Sequence, residues 1–317
     1  MHAQLPLATR VEPTRAARPP LRAILRSLAP LVLAACGVVA GTPAPPPVRP
    51  LPAGWRPTDL DVAWIGHATV LIGLGGTMIL TDPALFDRVG LELGPVTLGP
   101  KRLVAPALAP ADLPPLDAVL VTHAHMDSLD RPSLRALAPR TKLLVVPPRT
   151  RDLVDDLGFA RVVELGWGER VAAGDVTIEA FEVKHWGRRW PWDHWRGYDG
   201  FLLTKGGTTV LFAPDTAYTD LVARAGRRQP LDVAILGIGA YDPWIAHHAN
   251  PEQAWRMFRD SGARVLVPVH WDTFRLGKEP VGAAIARLLA AAGPEAGRVV
   301  VRRIGETWTQ PCCGSAR

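Results

Sequence analysis

The chain has 317 residues, of which 48% are apolar and 21% are charged, with three cysteines and a formal net charge of +6. This length and apolar content allow one large domain or two small ones, and the cysteines imply no disulfide framework. The first 35 residues contain five arginines and one acidic residue, so they carry most of the net charge. The nearly neutral remainder gives little reason to expect a nucleic-acid partner.

The first 35 residues indicate an export signal. The apolar run Leu28–Ala35 follows arginines and is too short to cross a bilayer. It leads into Leu-Ala-Ala-Cys36-Gly37, which resembles a bacterial lipobox. We therefore expect a lipoprotein-type signal peptide over residues 1–35 and lipid attachment at Cys36. Plain secretory cleavage is the alternative.

The remaining chain divides into three segments. A proline-rich segment over residues 36–54 is expected to form a semi-rigid linker between a membrane anchor and a domain. The folded domain is predicted over residues 55–310 and a short tail over residues 311–317. This organisation predicts an exported protein, anchored by lipid to a membrane of the cell envelope on its periplasmic face.

The coarse pattern of the domain predicts one α/β unit. Apolar runs and turn residues predict strands at Asp61–Ile65, Thr69–Gly73, Thr77–Thr81, Leu116–Thr122, Val176–Val183, Tyr198–Thr204, Thr208–Phe212 and Arg298–Arg303. Helices are expected at Ser133–Ala138, Thr150–Leu157, Asn250–Asp260 and Pro280–Ala292, the third with an asparagine N-cap and proline at its first position.

The most informative motif is His123-Ala-His125-Met-Asp127, directly after a predicted buried strand. In an extended or tightly turning segment the two histidines point the same way, and Asp127 can reach a second cation. Imidazole and carboxylate are ordinary zinc ligands. The motif therefore predicts a metal site at the carboxyl end of the strand, where open α/β folds place ligands.

Three further ligand candidates each end an apolar strand pattern: His185, Asp215 and His270. We expect His123, His125 and His185 to form one three-imidazole site. Asp127, Asp215 and His270 are expected to form a second site, with Asp215 able to bridge the two metals. The alternative is that each late residue is an ordinary hydrogen-bonded turn residue.

Together these motifs resemble the metallo-β-lactamase superfamily, within it the N-acyl-phosphatidylethanolamine-hydrolysing phospholipase D branch. The similar segments are Val62–Val70, Leu80–Pro83, Gly99–Arg102, Leu113–Val119, His185-Trp186, Asp215-Thr216, Ile238–Pro243 and His270–Phe274. The resemblance implies an α/β fold, an αβ/βα four-layer sandwich of two mixed sheets that holds one or two zinc ions at one edge.

The resemblance also implies roles for individual residues. The family pattern is HxHxDH, but its last position here is Ser128, whose neutral hydroxyl is a poor zinc ligand. We therefore expect one firm Zn²⁺ site and a weaker second one. Asp82 is expected to orient a ligand imidazole. The resemblance places His248 in the active site and gives Asp127 a catalytic as well as a ligand role, while His67 is expected to be structural or supporting.

A segment rich in tryptophan and arginine follows His185. Indole rings favour membrane interfaces and guanidinium groups favour phosphates, so Trp186 and Arg188 are predicted to contact substrate. Packing of the loop onto the core is the alternative reading of these tryptophans. Tyr241, within one of the family-like segments, is a further predicted substrate contact.

The predicted activity is hydrolysis by metal-activated water, most specifically phosphodiester cleavage in N-acyl-phosphatidylethanolamine-like lipids. The partners expected are a phospholipid or small ester substrate and a membrane, reached through the lipid anchor. One alternative is a lactonase or another carbonyl hydrolase on the same fold. An alternative of another class is a lipid- or metal-binding envelope protein whose catalysis has decayed. The oligomeric state stays open.

Overall fold

The computed structural model describes residues 41–311. The strands among these residues are β1 (Asp59–Gly66), β2 (Thr69–Leu74), β3 (Thr77–Thr81), β4 (Leu91–Leu93), β5 (Val96–Leu98), β6 (Ala118–Leu120), β7 (Leu144–Val146), β8 (Val162–Glu164), β9 (Arg170–Ala173), β10 (Val176–Phe181), β11 (Gly200–Lys205), β12 (Thr208–Ala213), β13 (Val233–Gly237), β14 (Val265–Val269) and β15 (Thr307–Pro311). The α-helices are α1 (Arg131–Leu137), α2 (Leu221–Arg228), α3 (Pro251–Ser261) and α4 (Ala283–Ala292). Short 3-10 helices lie at Pro52–Gly54, Pro110–Asp112, Ala138–Arg140, Arg151–Leu153, Asp155–Leu157 and Gly293–Arg298.

The strands form two large mixed sheets and one small hairpin. The first sheet has the order β15-β1-β2-β3-β6-β7-β8, and the second has the order β14-β13-β12-β11-β10-β9, while β4 pairs with β5. In each large sheet an antiparallel half, built from hairpins, continues into a parallel half. Two mixed sheets with flanking helices confirm the predicted α/β sandwich.

Near-continuous burial of the strands explains their apolar composition. Every residue of β1, β2 and β12 is buried. Strands that are covered on both faces carry continuous apolar runs instead of an alternating pattern. Trp64, at the end of β1, is fully buried and stacks on Trp271 beyond β14 with ring centroids 5.0 Å apart. This packing fixes the strand ends that carry the polar residues described below.

The predicted closing strand at Arg298–Arg303 is wrong. Only Val299 forms a bridge, with Leu266, and the last strand is β15, which pairs with β1. The backbone N–H groups of Arg302 and Arg303 both donate to the Glu306 carboxylate, which closes a turn. The buried valines of this irregular segment give it the apolar pattern of a strand, which explains the wrong prediction.

Other boundaries also differ from the predictions. The segment expected as one helix at Thr150–Leu157 forms two 3-10 turns, and α4 begins at Ala283 because Gly282 adopts a φ of 82°. The described part of the proline-rich segment differs from a free spacer. Ala44 forms backbone hydrogen bonds with Leu103 and Ala105, so this part of the segment lies against the domain.

The predicted signal peptide and Cys36 lie outside the described residues. Within residues 41–311, no helix has the length and apolar content that would let it cross a bilayer.

One core position carries a carboxyl group without a partner. Asp199 is 2% exposed, and neither of its carboxyl oxygens has a hydrogen-bond partner among the residues that the structure describes. The nearby Trp167 indole donates to the Tyr198 carbonyl at 2.7 Å instead. Burial raises the pKa of Asp199 from 3.8 to about 8. The folded state therefore holds this proton more tightly than the unfolded chain does.

The change Asp199→Asn is expected to stabilise the protein increasingly as pH rises. Because the folded-state pKa exceeds the unfolded one, the wild type loses stability between pH 4 and pH 8, whereas an amide has no proton to lose. We expect little change in melting temperature at pH 4 and a gain of roughly 5–10 °C at pH 8. Thermal melts across this range, with the exposed change Asp175→Asn as a control, test it. A pH-independent difference would contradict the assignment.

Candidate metal centre

Polar residues collect where strands of both sheets end. They follow β1, β3, β6, β10, β12 and β14, and they are His67, Asp82, His123, His185, Asp215 and His270. Carboxyl ends of neighbouring strands meet at one edge of a sheet, which is the usual ligand position of α/β folds. The sequence therefore brings residues from distant segments to a common edge.

The three imidazoles predicted as the first site lie together. Nε2 of His123 is 2.7 Å from Nδ1 of His125, and Nε2 of His185 is 3.4 Å from the same atom. The ligand atoms of all three residues lie within 4.8 Å of one another, so they can hold one metal ion. This grouping agrees with the sequence-based prediction.

Hydrogen bonds at the outer ring nitrogens orient these imidazoles. Nδ1 of His185 lies 3.0 Å from the His247 carbonyl, to which it donates, and this leaves Nε2 free as a ligand. Nδ1 of His123 lies 2.9 Å from the Thr122 hydroxyl. Such partners fix the tautomer of a metal-binding histidine and its ring direction.

Asp82 acts on the first cluster through Thr122. Its two carboxylate oxygens accept from the Thr122 backbone N–H at 2.8 Å and from the Thr122 hydroxyl at 2.7 Å. Because that hydroxyl donates to Asp82, it can only accept from Nδ1–H of His123, which leaves Nε2 without a proton. The expected orienting role is thus indirect, since Asp82 reaches the imidazole only through the threonine.

The three residues predicted as the second metal site do not form one group. Asp127 groups with His67 and His270, whereas Asp215 groups with His185 and His248. The two groups remain adjacent, because Nε2 of His270 lies 3.1 Å from Asp215 and 3.5 Å from Asp127. Asp215 also lies 3.4 Å from Nδ1 of His248.

Burial sets the charge of the centre. It lowers the pKa of His125 and of His67 to about 4, and it holds the pKa of His123 and His185 well below 6.5. These imidazoles are therefore neutral, which is the form that binds metal. Burial alone would raise the pKa of Asp127, but the adjacent imidazoles of His270 and His67 outweigh it and keep the carboxylate ionised.

Several buried polar atoms in the centre have no partner among the described residues. They are Oδ2 of Asp215, both ring nitrogens of His270 and Oγ of Ser128. Buried polar groups without partners are costly and rare in folded proteins. A divalent cation at the centre would satisfy Asp215 and His270, and imidazole with carboxylate is a donor set that suits zinc. The residues therefore fit the metal that the resemblance implies.

The loop after His185 borders the first cluster. The Trp186 ring lies 4.7 Å from the His125 ring and 4.4 Å from the His185 ring, while Arg188 is exposed. Arg189 serves the scaffold, since it donates to the carbonyl of Ala124 within the motif and to that of Leu129 just after it.

The predicted substrate contact at Tyr241 stays a prediction. This residue is 9% exposed and packs in the hydrophobic core, with the guanidinium of Arg287 4.8 Å above its ring.

His67, which the sequence analysis expects to be structural or supporting, lies within the centre. It is 1% exposed, and its Nε2 lies 2.9 Å from Oδ2 of Asp127. The available signal was its position, because Gly66-His67 ends a strand in the same way as the residues that were assigned as ligands.

Comparisons with known proteins identify several relatives. A family model described as "Beta-lactamase superfamily domain" matches residues 77–271. An uncharacterized protein of Mycobacterium tuberculosis is 35% identical over 255 residues, 78% of this chain and 68% of that protein. The N-acyl-phosphatidylethanolamine-hydrolyzing phospholipase D 1 of Caenorhabditis elegans is 33% identical over 238 residues, 69% of this chain and 66% of that protein. A UPF0173 metal-dependent hydrolase of Shouchella clausii is 29% identical over 258 residues, 78% of this chain and 99% of that protein.

Solved structures share the fold at lower identity. Igni18, a metallo hydrolase from Ignicoccus hospitalis, matches with a TM-score of 0.59 at 21% identity and covers 80% of this chain and 99% of its own. An isothiocyanate hydrolase from Delia radicum gut bacteria matches with a TM-score of 0.63 at 19% identity, covering 78% of this chain and 98% of its own. At these identities the likeness establishes the fold and no more.

Proposed function

Because the chain belongs to the β-lactamase superfamily and is a metal-dependent hydrolase, we propose that it is a zinc-dependent phosphodiesterase of the phospholipase D type. The proposed substrates are N-acyl-phosphatidylethanolamine-like lipids, which the name of the Caenorhabditis elegans relative suggests. The observation that carries the proposal is the convergence of all six predicted ligands at one edge of the fold.

Metal ions bound at this centre supply Lewis acidity and lower the pKa of water toward neutrality. His123, His125 and His185 would hold the first ion, and Asp127, Asp215 and His270 would hold the second. Neighbouring groups orient two of these ligands. Asp82 and Thr122 orient His123, and the His247 carbonyl orients His185. Preset ligand directions keep the reacting groups in place without reorganisation during the reaction.

His248 is the imidazole that we assign to proton transfer. It lies beside Asp215, its ring centroid is 5.0 Å from that of His185, and it is 8% exposed. A neutral imidazole next to the ligands can accept a proton from the attacking water and return it to the leaving group.

Lipid recognition would use the loop beside the centre. Trp192 and Trp195 are 65% and 53% exposed, and Trp244 is 47% exposed at a neighbouring loop. Exposed indoles favour a membrane interface, and the exposed Arg188 suits a phosphate group. We further propose lipidation at Cys36 and a location on the periplasmic face of an envelope membrane, which would bring the domain to such lipids.

The full chain, loaded with Zn²⁺, is expected to convert N-acyl-phosphatidylethanolamine in vesicles to phosphatidate and N-acylethanolamine. Mass spectrometry of the products measures this cleavage, and a bis-aryl phosphodiester gives a simple parallel assay. His248→Gln is expected to lower both rates by about 100-fold or more through loss of proton transfer. The exposed change Asp175→Asn, away from this loop, is the control.

Hydrolysis of a homoserine lactone without phosphodiester cleavage would contradict the proposal and support a carbonyl hydrolase on the same fold. Metal binding without turnover of either substrate would support a protein with decayed catalysis.

A further inference from the structure

Position 128 leaves the second metal site without an imidazole. Ser128 is fully buried, its Oγ has no hydrogen-bond partner in residues 41–311, and a neutral hydroxyl is a poor ligand for zinc. Asp127 and His270 nevertheless lie at their expected places, with Oδ2 of Asp127 3.5 Å from Nε2 of His270. The second site therefore lacks a nitrogen donor in the HxHxD segment itself.

His67 reaches this site from another element. It follows β1, its Nε2 lies 2.9 Å from Oδ2 of Asp127, and its ring centroid lies 4.0 Å from that of His270. The ligand atoms of these three residues all lie within 4.8 Å of one another. A single cation can therefore contact all three with small adjustments.

The backbone holds His67 in this position at a conformational cost. Its N–H donates to the Thr273 hydroxyl at 2.8 Å, and its carbonyl accepts from the Trp64 indole at 2.7 Å and from the His270 N–H at 3.0 Å. Its φ is 56°, in the left-handed region that a non-glycine residue rarely adopts. Strain that the surrounding structure maintains in this way is typical of functional positions.

His248 is the other imidazole that can compensate, and its ring centroid lies 5.1 Å from that of His270, compared with 4.0 Å for His67. It groups with Asp215 and His185, whereas His67 groups with Asp127 and His270. Resting on the metal centre of the proposed function, we propose that His67 supplies the second metal with the imidazole that Ser128 lacks. The ligand set of this site is then His67, Asp127, Asp215 and His270.

Zinc binding to the full chain tests this assignment without reference to any substrate. Wild type is expected to bind two Zn²⁺ ions per chain in buffered zinc. His67→Gln is expected to weaken the second ion by more than about 100-fold, which exceeds the 10–100-fold cost of losing a group that merely orients a ligand. His248→Gln is expected to keep the second ion, as is the exposed control His194→Gln. Unchanged second-site affinity in His67→Gln overturns the inference.

A second variant separates the loss of one nitrogen donor from a general collapse of the centre. If His67 is a ligand, adding Ser128→His to His67→Gln is expected to restore the second ion, because an imidazole returns to the family position. A second site that had collapsed in His67→Gln would not recover in this way. Failure of the double variant to recover zinc, while it remains folded by circular dichroism, overturns the inference.

Cobalt provides a measurement that does not depend on the folding of a variant at position 67. In His248→Gln loaded with two Co²⁺ ions, proton NMR is expected to show five shifted, exchangeable imidazole N–H signals, one from each bound histidine. Four signals would show that His67 is not a ligand. Neither result depends on lipid hydrolysis, so a failure of the proposed activity would leave this conclusion standing.

Discussion

Asp215→Ala is expected to remove the second metal ion and to lower phosphodiester hydrolysis by more than about 100-fold. Asp215 is 3% exposed and lies between two imidazoles, with Oδ1 3.1 Å from Nε2 of His270 and 3.4 Å from Nδ1 of His248. Its Oδ2 is buried and has no hydrogen-bond partner within the described part of the chain. Loss of this carboxylate removes a ligand and the negative charge between two cations.

Asp82→Ala is the matched comparison, since both residues are buried carboxylates at strand ends. Asp82 contacts Thr122 and reaches His123 only through that hydroxyl. Its loss should keep both metals and lower turnover by about 10–100-fold, the usual cost of removing a group that orients a ligand.

Metal analysis and hydrolysis of a bis-aryl phosphodiester, measured on the same samples of the two variants, decide between these outcomes. Two retained metals and a near-normal rate in Asp215→Ala would refute the bridging role. Equal losses in both variants would show that Asp82 holds the centre more directly than its hydrogen bonds indicate.

The sequence predicts that His123, His125 and His185 lie together, and local rules explain why they do. Two histidines in one short segment after a buried strand can point only to a narrow region, and His185 ends a strand at the same edge. The fold is predicted equally well, since central strands such as β2 and β12 carry the apolar runs that are typical of a sheet covered on both faces.

The second site is predicted less well because its grouping depends on tertiary distances. Motif spacing cannot show that Asp127 groups with His67 and not with Asp215. His67 follows β1, and it is about 60 residues away from the HxHxD segment in the chain. The family pattern also directs attention to Ser128, where its last histidine is absent. It gives no reason to examine His67, which follows another strand.

Irregular segments with strand-like composition were also beyond prediction. Val299 and Val301 are buried beside the core, yet the chain there turns through hydrogen bonds to the Glu306 side chain. Conversely, β15 carries polar residues and one tryptophan, a composition that does not predict a strand. It forms a strand because it pairs with the edge of β1. Propensity is a weak guide where tertiary pairing decides the structure.

Backbone strain marks the same centre as the ligand chemistry. His67, Asp82 and His270 have φ values of 56°, 33° and 61°, and each follows the end of a strand. Such conformations cost about 1–3 kcal/mol each and persist where surrounding packing enforces them. The folded state therefore loses some stability in order to hold these side chains in fixed directions. This supports a ligand role for His67 as well as for His270.

His185→Ala is expected to abolish the firm metal site. Its Nε2 faces the His123 and His125 pair, and His185 also belongs to the group with Asp215 and His248, so it links the two halves of the centre. After mild chelation the wild type should retain about one Zn²⁺ ion per chain, and this variant should retain none.

The activity of His185→Ala should fall on the order of 1,000-fold, since metal Lewis acidity contributes several kcal/mol and each 1.36 kcal/mol is a factor of ten. His247→Ala is the matched control, because it removes an adjacent imidazole but keeps the backbone carbonyl to which His185 donates. That control should keep the firm metal. A His185→Ala variant that still holds one Zn²⁺ ion after chelation would mean that the tight site is not the three-imidazole cluster, and the firm site would then have to lie with Asp127 and His270.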